Sequence, residues 1–300
     1  MAKSEMEVKM ATQNRSQSGV QAALKPLPIG VIRDRCLKVA QERFGTLTGV
    51  RASLSTETIL EILKPFRGMD WSALGADALY RSRPGTVSRT ASGTGETAAQ
   101  RAWFNRQGVD LPDGHLSFMD AEVPVCPGKD PRRRCVDLLG AYSRSLMPEK
   151  DVRETRWVVV ELKYAKTSAR RAGSPPYAML EALAYAASLY ANRKENGGHL
   201  VGHVAPEIDV ATFPDIAVVA NRAYWTHWQG ALGESAKGLF DLSGSLQRLL
   251  ATAFPERKPR VGWYAFPDLG LDKQKGKRTS YEPRVPSGSR WQPLRGPSDL

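Results

Sequence analysis

The feature that most constrains the fold is a series of short apolar runs, rich in β-branched residues and each of strand length. The clearest are residues 133–142, 156–165 and 214–221, which predict buried β-strands. A longer apolar run begins at Pro175 and Pro176, and proline is favoured in the first turn of a helix. This mixture predicts an α/β fold in which a central mixed sheet is flanked by helices.

The predicted order along the second part of the chain is helix, three strands, helix and strand. We expect helices at 96–107, 175–193 and 236–254, and strands at 115–125, 133–142, 156–165, 214–221 and 261–266. Three regions follow from this order: a helical N-terminal extension (1–93), a core (94–268) and a basic, flexible tail (269–300). The extension could be a specificity element, a packing layer, or a dimerisation arm that makes a homodimer or larger complex.

The chain carries a large positive charge, with 43 Lys and Arg against 31 Asp and Glu and a formal net charge of +12. Such an excess favours a polyanionic partner, of which nucleic acid is the most common. A cationic surface that only aids solubility is the alternative, and charge alone does not choose between the two.

The cysteine count and the hydropathy indicate a cytoplasmic protein. Three cysteines, Cys36, Cys126 and Cys135, occur without a CxxC spacing, which argues against a disulfide framework or a structural zinc site. No apolar run is long enough to cross a membrane, and residues 1–17 lack the apolar core of a signal peptide.

Three charged residues lie inside the apolar runs, where an unpaired charge is costly. Asp137 lies in CVDLL, and Glu161 and Lys163 lie in VVVELKY. Because strand side chains alternate, Glu161 and Lys163 share one face, whereas Val160 and Leu162 lie on an apolar face. If the two strands pair, Asp137 can meet Glu161 at one edge.

This arrangement can build a magnesium site. The carboxylates of Asp137 and Glu161, together with the backbone carbonyl of Leu162, would supply the hard oxygen ligands that Mg²⁺ or Mn²⁺ prefers. Such a metal lowers the pKa of a bound water and offsets charge on a phosphate. Lys163 could orient or deprotonate that water, or stabilise a pentavalent phosphorane. A structural ion pair at a strand end is the alternative.

Two helices add carboxylates to this picture. Glu181 is the only charged residue in the otherwise apolar run at 177–191, and Tyr185 lies one turn later on the same face. Glu96 begins the first predicted helix, with Gln100 on the same face. A partly exposed helix face for Glu181, and a helix-dipole partner for Glu96, are the simpler explanations.

Residues 94–222 resemble the PD-(D/E)XK nuclease superfamily in the order of these elements and motifs. The resemblance implies that Asp137 and Glu161 bind the divalent metal and that Lys163 assists the attacking water. It also implies that Glu96 is an acid of the first core helix. Glu181 and Tyr185 fall where several branches of the superfamily have Gln-x-x-x-Tyr, so Glu181 departs from that pattern.

Basic residues border the two charged strands. Arg132, Arg133 and Arg134 precede the Asp137 strand, and Lys166, Arg170 and Arg171 follow the Glu161 strand. A phosphate backbone would run there, so these six are the candidate nucleic-acid contacts. His199 and His203 lack a third ligand and are expected in a solvated loop. Four tryptophans (Trp103, Trp225, Trp228 and Trp263) are expected in the core.

The sequence thus predicts a Mg²⁺-dependent endo- or exodeoxyribonuclease of phage defence, restriction or repair. A nucleic-acid-binding module that does not cut, and an assembly protein whose basic surface docks an acidic partner, are the alternatives. The residues do not distinguish DNA from RNA, nor cutting at an end from cutting within a strand.

Overall fold

The computed structural model describes residues 60, 63–67, 69, 71, 95–124, 135–147, 152–165, 173–191, 211–232, 236–273 and 281–299. Four α-helices occur in this part of the chain. They are α1 (Glu96–Asn105), α2 (Pro175–Ala191), α3 (Arg222–Leu232) and α4 (Lys237–Ala253). The strands are β1 (Gly108–Leu111), β2 (Gly114–Pro124), β3 (Cys135–Met147), β4 (Val152–Lys163), β5 (Asp215–Asn221), β6 (Val261–Phe266), β7 (Gly270–Lys273), β8 (Tyr281–Arg284) and β9 (Gln292–Leu294).

Seven strands form one mixed sheet in the order β1-β2-β3-β4-β5-β6-β9, and β7 pairs with β8 separately. The pairs β1–β2, β2–β3 and β3–β4 are antiparallel. The pairs β4–β5 and β5–β6 are parallel, and β9 is antiparallel to β6. The parallel pairs need long crossovers. Helix α2 lies in the first crossover, and α3 and α4 lie in the second. The predicted α/β class with a mixed sheet and flanking helices is confirmed.

The sheet curves until its two edges nearly meet, so that it approaches a barrel. Asp110 of β1 and Arg290 form an isolated parallel bridge. Beside it, the Trp291 N–H donates a hydrogen bond to the Asp110 carbonyl oxygen over 3.3 Å. This contact joins the first strand to the segment that leads into the last one.

A cluster rich in aromatic residues fills the concave side of the sheet. Trp103 of α1 and Trp291 are both fully buried, with ring centroids 5.4 Å apart. Phe118 and Phe266 pack against this pair at 5.5 Å each. Val158, Val160 and Leu162 of β4 join the same cluster, so the predicted apolar face of this strand packs against helix α1, as expected.

The other side of the sheet packs against α2 and α4. Trp157 and Val159 of β4 contribute to this second core, together with most of α2. Leu63, Phe66 and Trp71 from the N-terminal region also belong to it, with the Trp71 ring 5.4 Å from that of Phe213. These three residues therefore act as part of a packing layer. Most of the predicted extension lies outside the described residues.

The observed elements correct several predictions. Strand β1, helix α3 and strands β7, β8 and β9 were not predicted. The prediction of a loosely structured tail is wrong for the segments around β8 and β9, because β9 joins the main sheet and Trp291 is fully buried. The four tryptophans expected in the core are all buried. No helix of the described residues has the length and apolar composition needed to span a membrane.

Candidate active site

The site begins where β3 and β4 separate. Their antiparallel pairing starts at Leu138 opposite Val160, so Asp137 lies one position beyond the last pair, opposite Glu161. The Asp137 Oδ2 atom accepts a hydrogen bond from the Leu162 N–H over 2.7 Å. The Leu162 N–H thus bonds to a side-chain oxygen where a continued strand pair would offer a backbone carbonyl. This hydrogen bond fixes the Asp137 carboxylate at the fork between the two strands.

Helix α1 closes one side of the fork. The Gln100 side-chain amide donates to the Asp137 carbonyl oxygen over 2.5 Å, and Gln100 itself is buried. The neighbouring Arg101 pairs with Glu122 of β2 at 3.0 Å. These two contacts hold the middle of α1 against the sheet, one turn after Glu96.

Lys163 lies at the centre of the site, surrounded by carboxylates from three elements. Its Nζ atom lies 2.6 Å from Glu161 Oε1, 3.4 Å from Glu96 Oε1 and 3.7 Å from Glu181 Oε2. The side chains of Lys163 and Glu161 are 8% and 3% exposed, so this ion pair is almost fully removed from water. The structure thus brings together all five residues that the sequence singled out as a catalytic set: Glu96, Asp137, Glu161, Lys163 and Glu181.

Helix α2 supplies Glu181 on an otherwise apolar surface. The Tyr185 hydroxyl donates to Glu181 Oε1 over 2.9 Å, one turn further along the helix. The other oxygen of Glu181 faces Lys163. The predicted pairing of Glu181 with Tyr185 is therefore present, and it orients the Glu181 carboxylate toward the centre of the site.

The pKa values of Asp137, Glu161 and Lys163 are shifted by burial and by the four carboxyl groups around the Lys163 ammonium. Burial and the neighbouring charge of Asp137 raise the pKa of Glu161 well above its ordinary value. Burial raises the pKa of Asp137 to about 7, against the opposing effect of Lys163. Burial alone would lower the pKa of Lys163, but the surrounding carboxylates, led by Glu161, raise it well above its usual range. Lys163 is therefore a permanent cation here.

One oxygen of the site has no partner. Glu161 Oε2 is buried and makes no hydrogen bond, which is costly for a carboxylate. Among the described residues, no group of three or more His, Cys, Asp and Glu side chains is arranged to hold a metal ion. The predicted ligands comprise only two such side chains, Asp137 and Glu161, plus a main-chain carbonyl. Mg²⁺ usually keeps several waters and takes few protein ligands, so a set of this size would be enough to hold it.

Leu162, the third predicted ligand, has its backbone oriented toward the fork. Its N–H points to Asp137, and the N–H and C=O of one strand residue point to the same side. The Leu162 carbonyl therefore faces the β3 side, where the Asp137 carboxylate lies. The role of this carbonyl as a metal ligand stays a prediction.

The remaining predicted residues lie outside the part of the chain that the structure describes. They are the six basic residues Arg132, Arg133, Arg134, Lys166, Arg170 and Arg171, and the histidines His199 and His203. The nucleic-acid contacts assigned to the six basic residues stay a prediction.

Two neighbours of the site were not predicted from the sequence. Tyr224 of α3 is fully buried, and its pKa is raised well above the ordinary value by burial and by the site's carboxylates, against the effect of Lys163. Tyr177 of α2 is half-buried one turn before Glu181. The helix spacing could have revealed Tyr177. No sequence pattern places Tyr224 at the site, because it lies on α3, and the position of α3 depends on how the crossover after β5 packs against the sheet.

Comparison of the chain with protein-family models, with curated proteins and with solved structures finds no significant match.

Proposed function

We propose that the chain is a metal-dependent nuclease that hydrolyses phosphodiester bonds in DNA, built on a restriction-endonuclease-like core. The observation that carries the proposal is the fork between β3 and β4. There the carboxylates of Asp137 and Glu161 lie beside the Lys163 ammonium, and Glu161 Oε2 is buried without a partner. The net charge of +12 supports a polyanionic substrate.

Asp137, Glu161 and the Leu162 carbonyl would hold Mg²⁺ or Mn²⁺. The bound metal would lower the pKa of a water molecule and offset charge on the scissile phosphate. The excess of negative charge among the described residues of the site favours such a cation, since four carboxyl groups surround Lys163. The partner that Glu161 Oε2 lacks would then be supplied.

Lys163 acts in this proposal as a fixed positive charge. Its raised pKa keeps it protonated at neutral pH, so it orients the attacking water and stabilises the developing charge on the phosphorane rather than removing a proton. Glu96 and Glu181 hold the ammonium from two further sides. Gln100 fixes the Asp137 main chain.

Cleavage of plasmid and linear DNA in the presence of Mg²⁺ or Mn²⁺ tests the proposal. We expect cleavage by the wild-type chain, none in EDTA, and a loss of at least about 100-fold in Glu161→Gln and in Lys163→Gln. Glu256→Gln, which changes an exposed carboxylate after α4, is the matched control and should cleave normally. Plasmid nicking with intact linear ends would indicate internal cutting, as in restriction, phage defence or repair.

The same experiment separates the alternatives. Undiminished cleavage by Lys163→Gln or Glu161→Gln would show that the activity lies elsewhere. Tight, salt-dependent DNA binding without cleavage in any divalent metal would identify a binding module instead. Absence of both binding and cleavage would favour an assembly protein, and digestion of RNA alone would correct the substrate.

A further inference from the structure

The first turn of α2 lies next to the proposed active site. Tyr177 precedes Glu181 by one helical turn, and Ser174, immediately before the helix, precedes it by two. At a rise of about 1.5 Å per residue, Tyr177 is displaced about 6 Å along the helix axis from Glu181. The start of the helix is thus close enough to Glu181 to contact the phosphate next to the scissile one on a bound DNA strand.

The backbone at this helix start presents a single N–H donor that no helix carbonyl accepts. Pro175 and Pro176 have no N–H group, so the first backbone donor of α2 is the N–H of Tyr177. Ser174 is the N-cap, because its carbonyl accepts the Ala178 N–H over 2.9 Å. The Tyr177 N–H is therefore one of the first-turn donors that no helix carbonyl accepts. The Gly173 carbonyl beside it accepts a hydrogen bond of 2.7 Å from the Tyr224 hydroxyl of α3.

The Ser174 hydroxyl is a second donor at the same place. Ser174 is 2% exposed, and its Oγ atom makes no hydrogen bond. A serine before a helix normally caps the helix by accepting an N–H of the first turn, which Ser174 does not do. A buried hydroxyl left unpaired is costly, so a group that bound there and completed its hydrogen bonding would be stabilised.

The Tyr177 side chain adds a third polar group. Its ring packs beside Gly173, where an added Cβ atom would come within 3.2 Å of it. The Tyr177 hydroxyl interacts electrostatically with both Glu181 and Lys163. Burial together with Glu181 raises the pKa of Tyr177 to about 12, against the opposing effect of Lys163. The hydroxyl therefore stays protonated at neutral pH and is available to donate.

We propose that the N-terminal turn of α2 is a phosphate subsite, in which the Ser174 hydroxyl and the N–H and hydroxyl of Tyr177 bind the backbone phosphate next to the scissile one. The inference rests on the proposed nuclease function. Helix N-termini favour anions through their free N–H groups and dipole. Because the catalytic centre itself is crowded with carboxylates, a nearby set of neutral donors would help to hold the adjacent phosphate.

Steady-state cleavage by Ser174→Ala, Tyr177→Phe and the double variant of the full chain tests the subsite. We expect the KM for a short duplex to rise by about 10-fold in the double variant while kcat changes by less than about 3-fold, because these groups position the substrate. Ser188→Ala and Tyr190→Phe, on the same helix but further from its start, are the matched controls and should leave KM unchanged.

Duplexes with a single neutral methylphosphonate give a second readout. Scanning this group through the phosphates that flank the cut should reveal one position where the wild type loses about 10-fold in KM and the double variant loses nothing more. If the wild type cleaves but the double variant keeps its KM, or shows the full methylphosphonate penalty, the subsite is overturned. A wild-type chain that does not cleave would reject the proposed function, and the subsite with it.

Discussion

At the scale of single residues, the described part of the site sets four carboxyl groups around a single lysine, Lys163. Lys163 contacts Glu161, Glu96 and Glu181 directly, and Asp137 lies at the adjoining strand fork. Without a further cation, burial forces part of this charge to be neutralised by protons, which is why the pKa values of Asp137 and Glu161 are raised. The same residues should therefore make the metal-free protein sensitive to pH.

Asp137→Asn should weaken the pH dependence of stability in EDTA. The pKa of Asp137 is about 7 in the folded protein, above its ordinary value of 3.8. Between these values the folded state holds a proton that the unfolded chain has lost, so the free energy of unfolding falls as pH rises through this window. Asn cannot titrate at this position, and the variant should gain stability relative to the wild type up to about pH 7.

Urea unfolding at several pH values between 4 and 8 measures this difference. Asp241→Asn, which removes an exposed carboxylate on α4, serves as the control and should follow the wild type. Parallel pH profiles for Asp137→Asn and the wild type would show that Asp137 is ionised throughout the range.

The sequence predicted four charged residues of the site because each one interrupts an apolar strand or helix. Asp137, Glu161, Lys163 and Glu181 all stand out in this way. Gln100 and Tyr224 do not stand out in the sequence, because glutamine is common in helices and tyrosine is common in amphipathic helices. Their roles depend on how α1 and α3 are placed against the sheet, which is a property of the tertiary structure.

At the scale of elements, the sheet depends on a short strand from the end of the chain. Strand β9 pairs with β6 over only three residues, yet the segment before it delivers Trp291 to the centre of the concave core, against Trp103 and Phe118. The packing of α1, and hence the position of Glu96 and Gln100, therefore depends on a residue almost two hundred positions away.

Trp291→Ala should destabilise the protein strongly. Removal of a fully buried tryptophan leaves a cavity and typically costs about 3–5 kcal/mol. Thermal or urea unfolding measures the loss, with Gln292→Ala at the exposed neighbouring position of β9 as the control. If both variants unfold with the wild type, the aromatic cluster does not depend on this segment.

Elements with a continuous apolar pattern could be predicted, whereas short ones could not. Strand β4 and strand β5 are buried on both faces and carry runs of valine that predict them well. Strands β8 and β9 have three or four residues each and contain proline, which local patterns assign to loops. They form because the curved sheet offers them partners.

At the scale of the whole molecule, the part of the +12 net charge that contacts phosphates should determine how binding responds to salt. Each neutralised phosphate contributes about −0.9 to the slope of log affinity against log salt concentration for duplex DNA. The predicted contacts Arg132, Arg133 and Arg134 lie on the chain just before β3, the strand that carries Asp137.

Replacing Arg132, Arg133 and Arg134 with alanine should reduce the magnitude of that slope by up to about 2.7. Fluorescence anisotropy with labelled duplex between 50 and 200 mM salt, without metal, measures it. A variant with alanine at Lys237, Arg248 and Lys258, which are exposed on and after α4, removes the same charge. Equal slopes for the two triple variants would mean that the effect is only one of net charge.

The near-closure of the sheet also bears on how the chain acquires its structure during synthesis. Strand β1 and the segment before β9 meet at Asp110 and Arg290, so β1 can complete its contacts only after residues 180 positions later have been synthesised. Contacts so far apart in sequence slow folding. Until translation passes residue 294, the concave side of the sheet lacks Trp291, and the nascent chain exposes apolar surface that chaperones recognise.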